Sequence, residues 1–153
     1  MADCAIVYSS VHHGNTKKLL DAVAALCGAE LLGTAQAAET DLTKYRAVGF
    51  ASGVYGSRLH RSLYDFLAAG PALPETAFVI YTSGSGGKKY ADSFAARLRK
   101  RGVTVAGIYS CKGYDTFGPF KLVGGIAKGH PAQGEIDGAV RFVKNILAGH
   151  SGA

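Results

Sequence analysis

Cysteine is scarce and too dispersed to organise a structure. Only Cys4, Cys27 and Cys111 occur. No two of them form a Cys-x-x-Cys pair, so the usual zinc-ligand spacing is missing and no metal site is expected. An odd, widely spaced set also offers no disulfide framework and points to reduced thiols. Cys4 and Cys27 fall on apolar faces, where they are expected to pack as small hydrophobes. Long apolar runs are missing too. None approaches the roughly 20 residues that a bilayer-spanning helix needs. No basic stretch precedes the apolar run that begins at Met1-Ala2-Asp3-Cys4. No signal peptide is therefore expected, and a cytoplasmic location follows by default.

Charge is sparse, at 18% of residues against 48% hydrophobic ones. That balance excludes a disordered chain and suits one globular domain of 153 residues, expected to span residues 1–150. The formal net charge is +6, which could serve nucleic acid, a membrane surface or an acidic protein partner. The bases are spread over several amphipathic segments rather than gathered in one run, so nucleic-acid binding is not expected.

Five apolar runs alternate with amphipathic segments: Cys4 to Tyr8, Glu30 to Gly33, Ala47 to Ala51, Phe78 to Tyr81 and Val103 to Tyr109. The first, third and fourth are almost continuous in apolar residues, as strands buried on both faces of a parallel sheet should be. Between them, Leu20, Val23, Ala24 and Cys27 share one helical face, with Gly28 as its stop. Leu59, Leu63, Phe66 and Leu67 form another stripe. Tyr90, Phe94 and Leu98 form a third, stopped by Gly102, and Ile136, Ala139, Val140, Val143 and Leu147 form the last, closed by Gly149. Asp41 to Tyr45 has room for a single turn. Alternating strand and helix predicts an α/β three-layer sandwich around a five-stranded parallel sheet, in the doubly wound order 2-1-3-4-5. One long irregular segment, Cys111 to about Gly134, exceeds a simple connector and has room for a function.

In such a sheet, ligands bind outside the carboxyl ends of the strands, where the strand order reverses. The loops expected there are rich in glycine and small hydroxyl residues. The first, Ser9-Ser10-Val11-His12-His13-Gly14-Asn15-Thr16, leads into a helix whose free N–H groups and positive dipole end suit a phosphate. Asn15 or Thr16 could equally act as a plain helix cap. The loop lacks the Gly-Lys-Ser/Thr ending of a Walker A sequence and is not Gly-x-Gly-x-x-Gly. No acidic pair follows the first strand, so a metal-dependent phospho-receiver is not favoured. The second loop is Ser52-Gly53-Val54-Tyr55-Gly56-Ser57 and the third Thr82-Ser83-Gly84-Ser85-Gly86-Gly87. Glycines expose backbone N–H and C=O groups to a planar heterocycle, and Tyr55 could stack on it.

These residues resemble the flavodoxin family. Gly14-Asn15-Thr16, after a strand and a Ser-containing loop, is similar to the flavodoxin phosphate loop. Gly49 to Gly56 resembles the loop beside one side of the isoalloxazine, and Tyr81 to Gly87 resembles the loop at its pyrimidine side. Cys111 to Pro131 is similar to a segment of a subgroup of bacterial and archaeal flavodoxin-like proteins. The resemblance implies non-covalent FMN. Ser10, Val11, His12, His13, Gly14, Asn15 and Thr16 would surround the phosphate. Gly53, Val54, Tyr55 and Gly56 would face the ring, and Ser83, Gly84, Ser85 and Gly86 would meet its edge. No catalytic side chain and no metal ligand are implied.

The departures from the family are specific. The phosphate loop is one residue longer than usual, and His13 stands where Thr is common. There is no Trp, and Ser85 falls where many flavodoxins place an aromatic, a role Tyr114 could take instead. Flavodoxins are typically acidic, whereas Lys17, Lys18, Arg58, His60, Arg61, Lys88 and Lys89 lie in or beside these loops. Nearby positive charge favours an anionic reduced flavin, so the last one-electron potential is expected to be less negative than in acidic flavodoxins. Three functions stay open: an electron carrier with protein partners, an FMN-dependent NAD(P)H:quinone-type reductase, and a non-enzymatic module that has lost the flavin.

Overall fold

The strand Cys4–Ser9 (β1) lies inside the sheet, and its side chains divide cleanly between two cores. Ala5 and Val7 point into one, Cys4 and Ile6 into the other, because successive residues of a strand face opposite ways. The computed structural model describes residues 3–9, 15–83, 89–112 and 133–149. Within them, Glu30–Gly33 (β2), Ala47–Tyr55 (β3), Arg58–Leu59 (β4), Thr76–Ser83 (β5) and Thr104–Lys112 (β6) complete the strands. The helices are Asn15–Cys27 (α1), Thr34–Ala38 (α2), Arg61–Ala68 (α3), Asp92–Lys100 (α4) and Gln133–Leu147 (α5), with a 3-10 turn at Leu42–Lys44.

The five long strands run parallel in the order β2-β1-β3-β5-β6. This is the doubly wound order read from the sequence, with the short β4 added as an antiparallel return on the end of β3. Helices cover both faces. Leu19, Leu20 and Val23 of α1 share one core with Ile136, Ala139 and Val143 of α5. Leu63 and Phe66 of α3 share the other with Phe94 and Leu98 of α4. Burial on both sides explains why β1, β3 and β5 read as unbroken apolar runs.

One register pair shows how tightly the central strands are matched. Gly49 on β3 lies opposite Phe78 on β5. A Cβ on Gly49 would stand 3.0 Å from Cδ2 of Phe78 and closer still to the tip of the ring. The ring occupies the volume a side chain would need, and its edge packs on Phe142 of α5 at 6.0 Å between centroids.

Two boundaries differ from the periodicity. The stripe beginning at Leu59 places that residue on a helix, but Leu59 pairs with Val54 in β4, and α3 starts at Arg61 with His60 as its N-cap. Tyr90 precedes α4 rather than sitting on it, because the helix starts at Asp92 after Ala91. In both cases the apolar residue packs on the same core from a neighbouring element, so the spacing survives although the element changes.

Candidate functional site

Among the described residues, the buried polar side chains are Thr16, Ser52, Thr82 and Ser83. All four lie at one end of the molecule, the carboxyl ends of β3 and β5 and the first turn of α1. Hydroxyls are costly to bury without partners, so their gathering at the switch point of the sheet marks a built polar surface.

Thr16 draws two of these elements together. Its Oγ1 lies 3.0 Å from Oγ1 of Thr82, joining the start of α1 to the end of β5. Gly53 is the register partner of Thr82, and Thr82 in turn lies opposite Cys111 on β6. The ends of three neighbouring strands are thus level beside the opening turn of α1. That turn supplies unpaired N–H groups and the positive dipole end.

The β3 end is not the open loop its glycines predict. Gly53, Val54 and Tyr55 continue the strand, and Gly56-Ser57 closes a two-residue hairpin to β4. Gly56 has φ 59° and Ser57 φ 66°, the pair of positive values that a type I′ turn demands. The return is fastened by Ser52. Its fully buried hydroxyl donates to the Gly53 carbonyl at 2.6 Å and accepts from the His60 amide at 3.1 Å. His60 then caps α3, its Nδ1 accepting from the Ser62 amide at 3.0 Å, which leaves the ring proton on Nε2 in the neutral form. The His60 ring meets Tyr55 edge-on at 4.9 Å between centroids. Tyr55 also lies over Gly53, whose absent Cβ would touch its ring at 3.5 Å. Tyr55 is thereby held on both sides, half-buried, at the carboxyl end of the sheet.

Replacing Ser52 with alanine should therefore loosen this corner. The His60 amide loses its acceptor inside the protein, at a cost of about 1–3 kcal/mol, and its hydrogen exchange should accelerate sharply. An unchanged unfolding midpoint together with unchanged exchange at His60 would show that Ser52 does not fasten the hairpin.

The basic residues divide into two groups. Lys17 donates to Asp21 at 2.6 Å, and this hydrogen bond raises its pKa. Arg61 pairs with Asp65 at 3.4 Å. Arg58 and Arg97 instead lie against the ring of Tyr64. Cys111, buried at the end of β6, is pushed up to about 12, chiefly by desolvation and secondarily by Glu135. It stays a thiol at neutral pH, which fits a packing role rather than a reactive one.

Of the residues singled out in the sequence, Thr16, Gly53, Val54, Tyr55, Gly56 and Ser83 lie together at this end of the sheet. Asn15 opens α1. Ser10, Val11, His12, His13, Gly14, Gly84, Ser85, Gly86, Lys88 and Tyr114 lie outside the described residues, as does most of the segment from Cys111 to Gly134. Two contributors, Ser52 and Thr82, stand at the head of the second and third loops, where the sequence alone assigns them no role. Their signal is a small hydroxyl residue closing an unbroken apolar run, where a strand leaves the core.

Residues 5–89 match the flavodoxin domain family. An uncharacterized protein of Methanocaldococcus jannaschii is 33% identical over 144 residues, covering 93% of this chain and 96% of that protein. Among solved structures, oxidised Flavodoxin 2 from Bacillus cereus has a TM-score of 0.69 at 17% identity, over 97% of this chain and 99% of that one. A flavodoxin from the domain Archaea has a TM-score of 0.65 at 15% identity, over 95% and 96% of the two chains. At these identities the likeness to solved structures is one of fold.

Proposed function

This chain belongs to the flavodoxin domain family, and from that premise we propose that it binds FMN without a covalent bond and carries electrons between proteins. The observation that supports this most is the set of buried hydroxyls of Thr16, Ser52, Thr82 and Ser83 at the carboxyl end of the sheet. The donor set fits the cofactor. The free N–H groups of the first turn of α1 suit a phosphate dianion. A half-buried tyrosine over a glycine, on a strand end with exposed backbone, suits a flat heterocycle.

In this reading, the loop from Ser10 to Thr16 takes the phosphate, Gly53 to Gly56 faces the ring, and Ser83 to Gly86 meets the polar edge. FMN supplies the redox chemistry, and the protein tunes its potential. This chain's residues orient the ring and keep water from one side of it. The +6 net charge suits acidic partner proteins, whose encounter it would speed at low salt. No helix among the described residues is long and apolar enough to cross a membrane, and we place the work of the carrier in the cytoplasm.

The test is a visible spectrum of the gently purified protein, before and after addition of FMN. Bands near roughly 370 and 450 nm, a property of protein-held flavin, and saturable binding on titration are the expected result. NADH or NADPH is then added anaerobically. A carrier stays yellow until a partner reductase is supplied. Direct bleaching would assign the reductase function instead, and failure to bind FMN would leave a non-enzymatic module.

A further inference from the structure

A second site lies beside the proposed flavin site and is built differently. The β3–β4 hairpin, α3 and α4 enclose an open cleft of about 510 Å³, within the size range of small-molecule sites. Its floor is Tyr64, nearly buried and fixed from two directions. The hydroxyl lies 2.7 Å from Ser93 Oγ on α4, and the ring meets Phe94 edge-on at 5.2 Å.

Two guanidinium groups rest on this one ring. Cζ of Arg58 is 3.8 Å from its centroid, and Cζ of Arg97 is 4.9 Å away. The two cations are thus no farther apart than those distances added together, and both line the same cleft. Contact with a ring leaves guanidinium N–H groups available for a bidentate contact. Neither arginine has an ion-pair partner among the described residues, since the carboxylate that also lines the cleft, Asp65, is paired with Arg61. Two like charges held this close repel one another, and an anion between them would relieve that repulsion.

We propose that this cleft binds a small phosphorylated molecule, its phosphate held between Arg58 and Arg97. A small ligand is favoured over an acidic protein because the site is concave and both cations, although exposed, line it. The volume exceeds what one phosphate ion fills and leaves room for an organic body beside it. The site adjoins that proposed for FMN, with Tyr55 common to both, and its two cations do not depend on FMN being bound.

The test is an NMR titration of the full chain with AMP and with inorganic phosphate, following the Arg Nε–H signals and the backbone amides of residues 58–65 and 93–97. It is run with and without prior saturation by FMN, and on Arg58→Met and Arg97→Met, which keep the apolar stems packed on Tyr64. The expected result is saturable shifts in this region, tighter for AMP than for phosphate and still present after saturation with FMN. Each variant should weaken AMP by about tenfold or more, the scale of a lost charge-assisted hydrogen bond. Shifts that disappear when FMN is added first would place the phosphate in the flavin site and overturn the proposal. So would the absence of shifts. A response to poly-glutamate but not to AMP would also overturn it, in favour of a docking surface for acidic protein.

Discussion

Replacing Phe78 with alanine should cost about 3–5 kcal/mol of unfolding free energy, the range for emptying a buried aromatic site. Phe78 is fully buried and fills the space above Gly49 on the neighbouring strand. The converse change, Gly49→Ala, adds a methyl where the ring already sits. The ring cannot swing away freely, because it is fully buried and packed against Phe142. An overpacking cost of about 1–3 kcal/mol follows.

The two effects should not add. In the Phe78→Ala background, the methyl of Gly49→Ala enters vacated space and should cost almost nothing, giving a coupling of about 1–2 kcal/mol between the sites. Urea unfolding of the two single variants and the double variant measures it. Additive costs would mean that the ring and the glycine do not compete for one volume. The site should feel the same change. Three residues beyond Gly49 lies Ser52, opposite Tyr81, and Gly53 follows opposite Thr82. A strand pair that loses its packing at Phe78 should hold these groups less well, so Phe78→Ala should also weaken FMN.

Much of this arrangement is legible in the residues themselves. The apolar runs of β1, β3 and β5 can be read because burial on both faces removes polar alternation. The strand order follows from handedness once those runs alternate with helices. The ends are harder. Ser52-Gly53 reads as loop because a hydroxyl and a glycine normally leave the core, yet Ser52 satisfies its hydroxyl locally and the strand continues to Tyr55. Leu59 carries helical spacing but belongs to β4, since the type I′ turn needs only Gly56-Ser57 to reverse the chain. The helix Thr34–Ala38 leaves no periodic trace, because it is one turn long and buries only Ala37. The Arg58–Tyr64–Arg97 stack joins residues far apart in sequence, so no local pattern marks it.

Alkaline pH should unfold this protein more steeply than its lysines and exposed tyrosines alone would. The thiols of Cys4 and Cys111 are both buried, and desolvation is the main reason each is pushed from 9.0 up to about 12. Cys27 adds to the shift at Cys4, and Glu135 to that at Cys111. Tyr45, buried and hydrogen-bonded to Glu30, is likewise raised from 10.0 to about 12. In each case the folded pKa is the higher one. The unfolded chain therefore releases these protons first, and stability falls as pH rises. The thiol contribution is complete below pH 9 and is lost progressively between pH 9 and pH 12. Each thiol accounts for a few kcal/mol at most at that limit, at about 1.36 kcal/mol per pH unit. Two such groups are comparable with the whole stability of a typical domain, about 5–15 kcal/mol. Urea midpoints under reducing conditions should be flat up to about pH 9 and then drop. Cys4→Ala and Cys111→Ala should each flatten that drop, whatever they cost at pH 7. A pH profile unchanged by both substitutions would show that these thiols titrate normally and are reached by water in the folded protein. Cys111 faces Thr82 across the sheet, so a thiolate there would place negative charge beside the hydroxyls of the site. Flavin held there as proposed should be released by this route only near pH 12, where the folded thiol ionises, or earlier if the chain unfolds. Flavin passing a filter reports the release, and Cys111→Ala should remove the first route while Cys4→Ala should not.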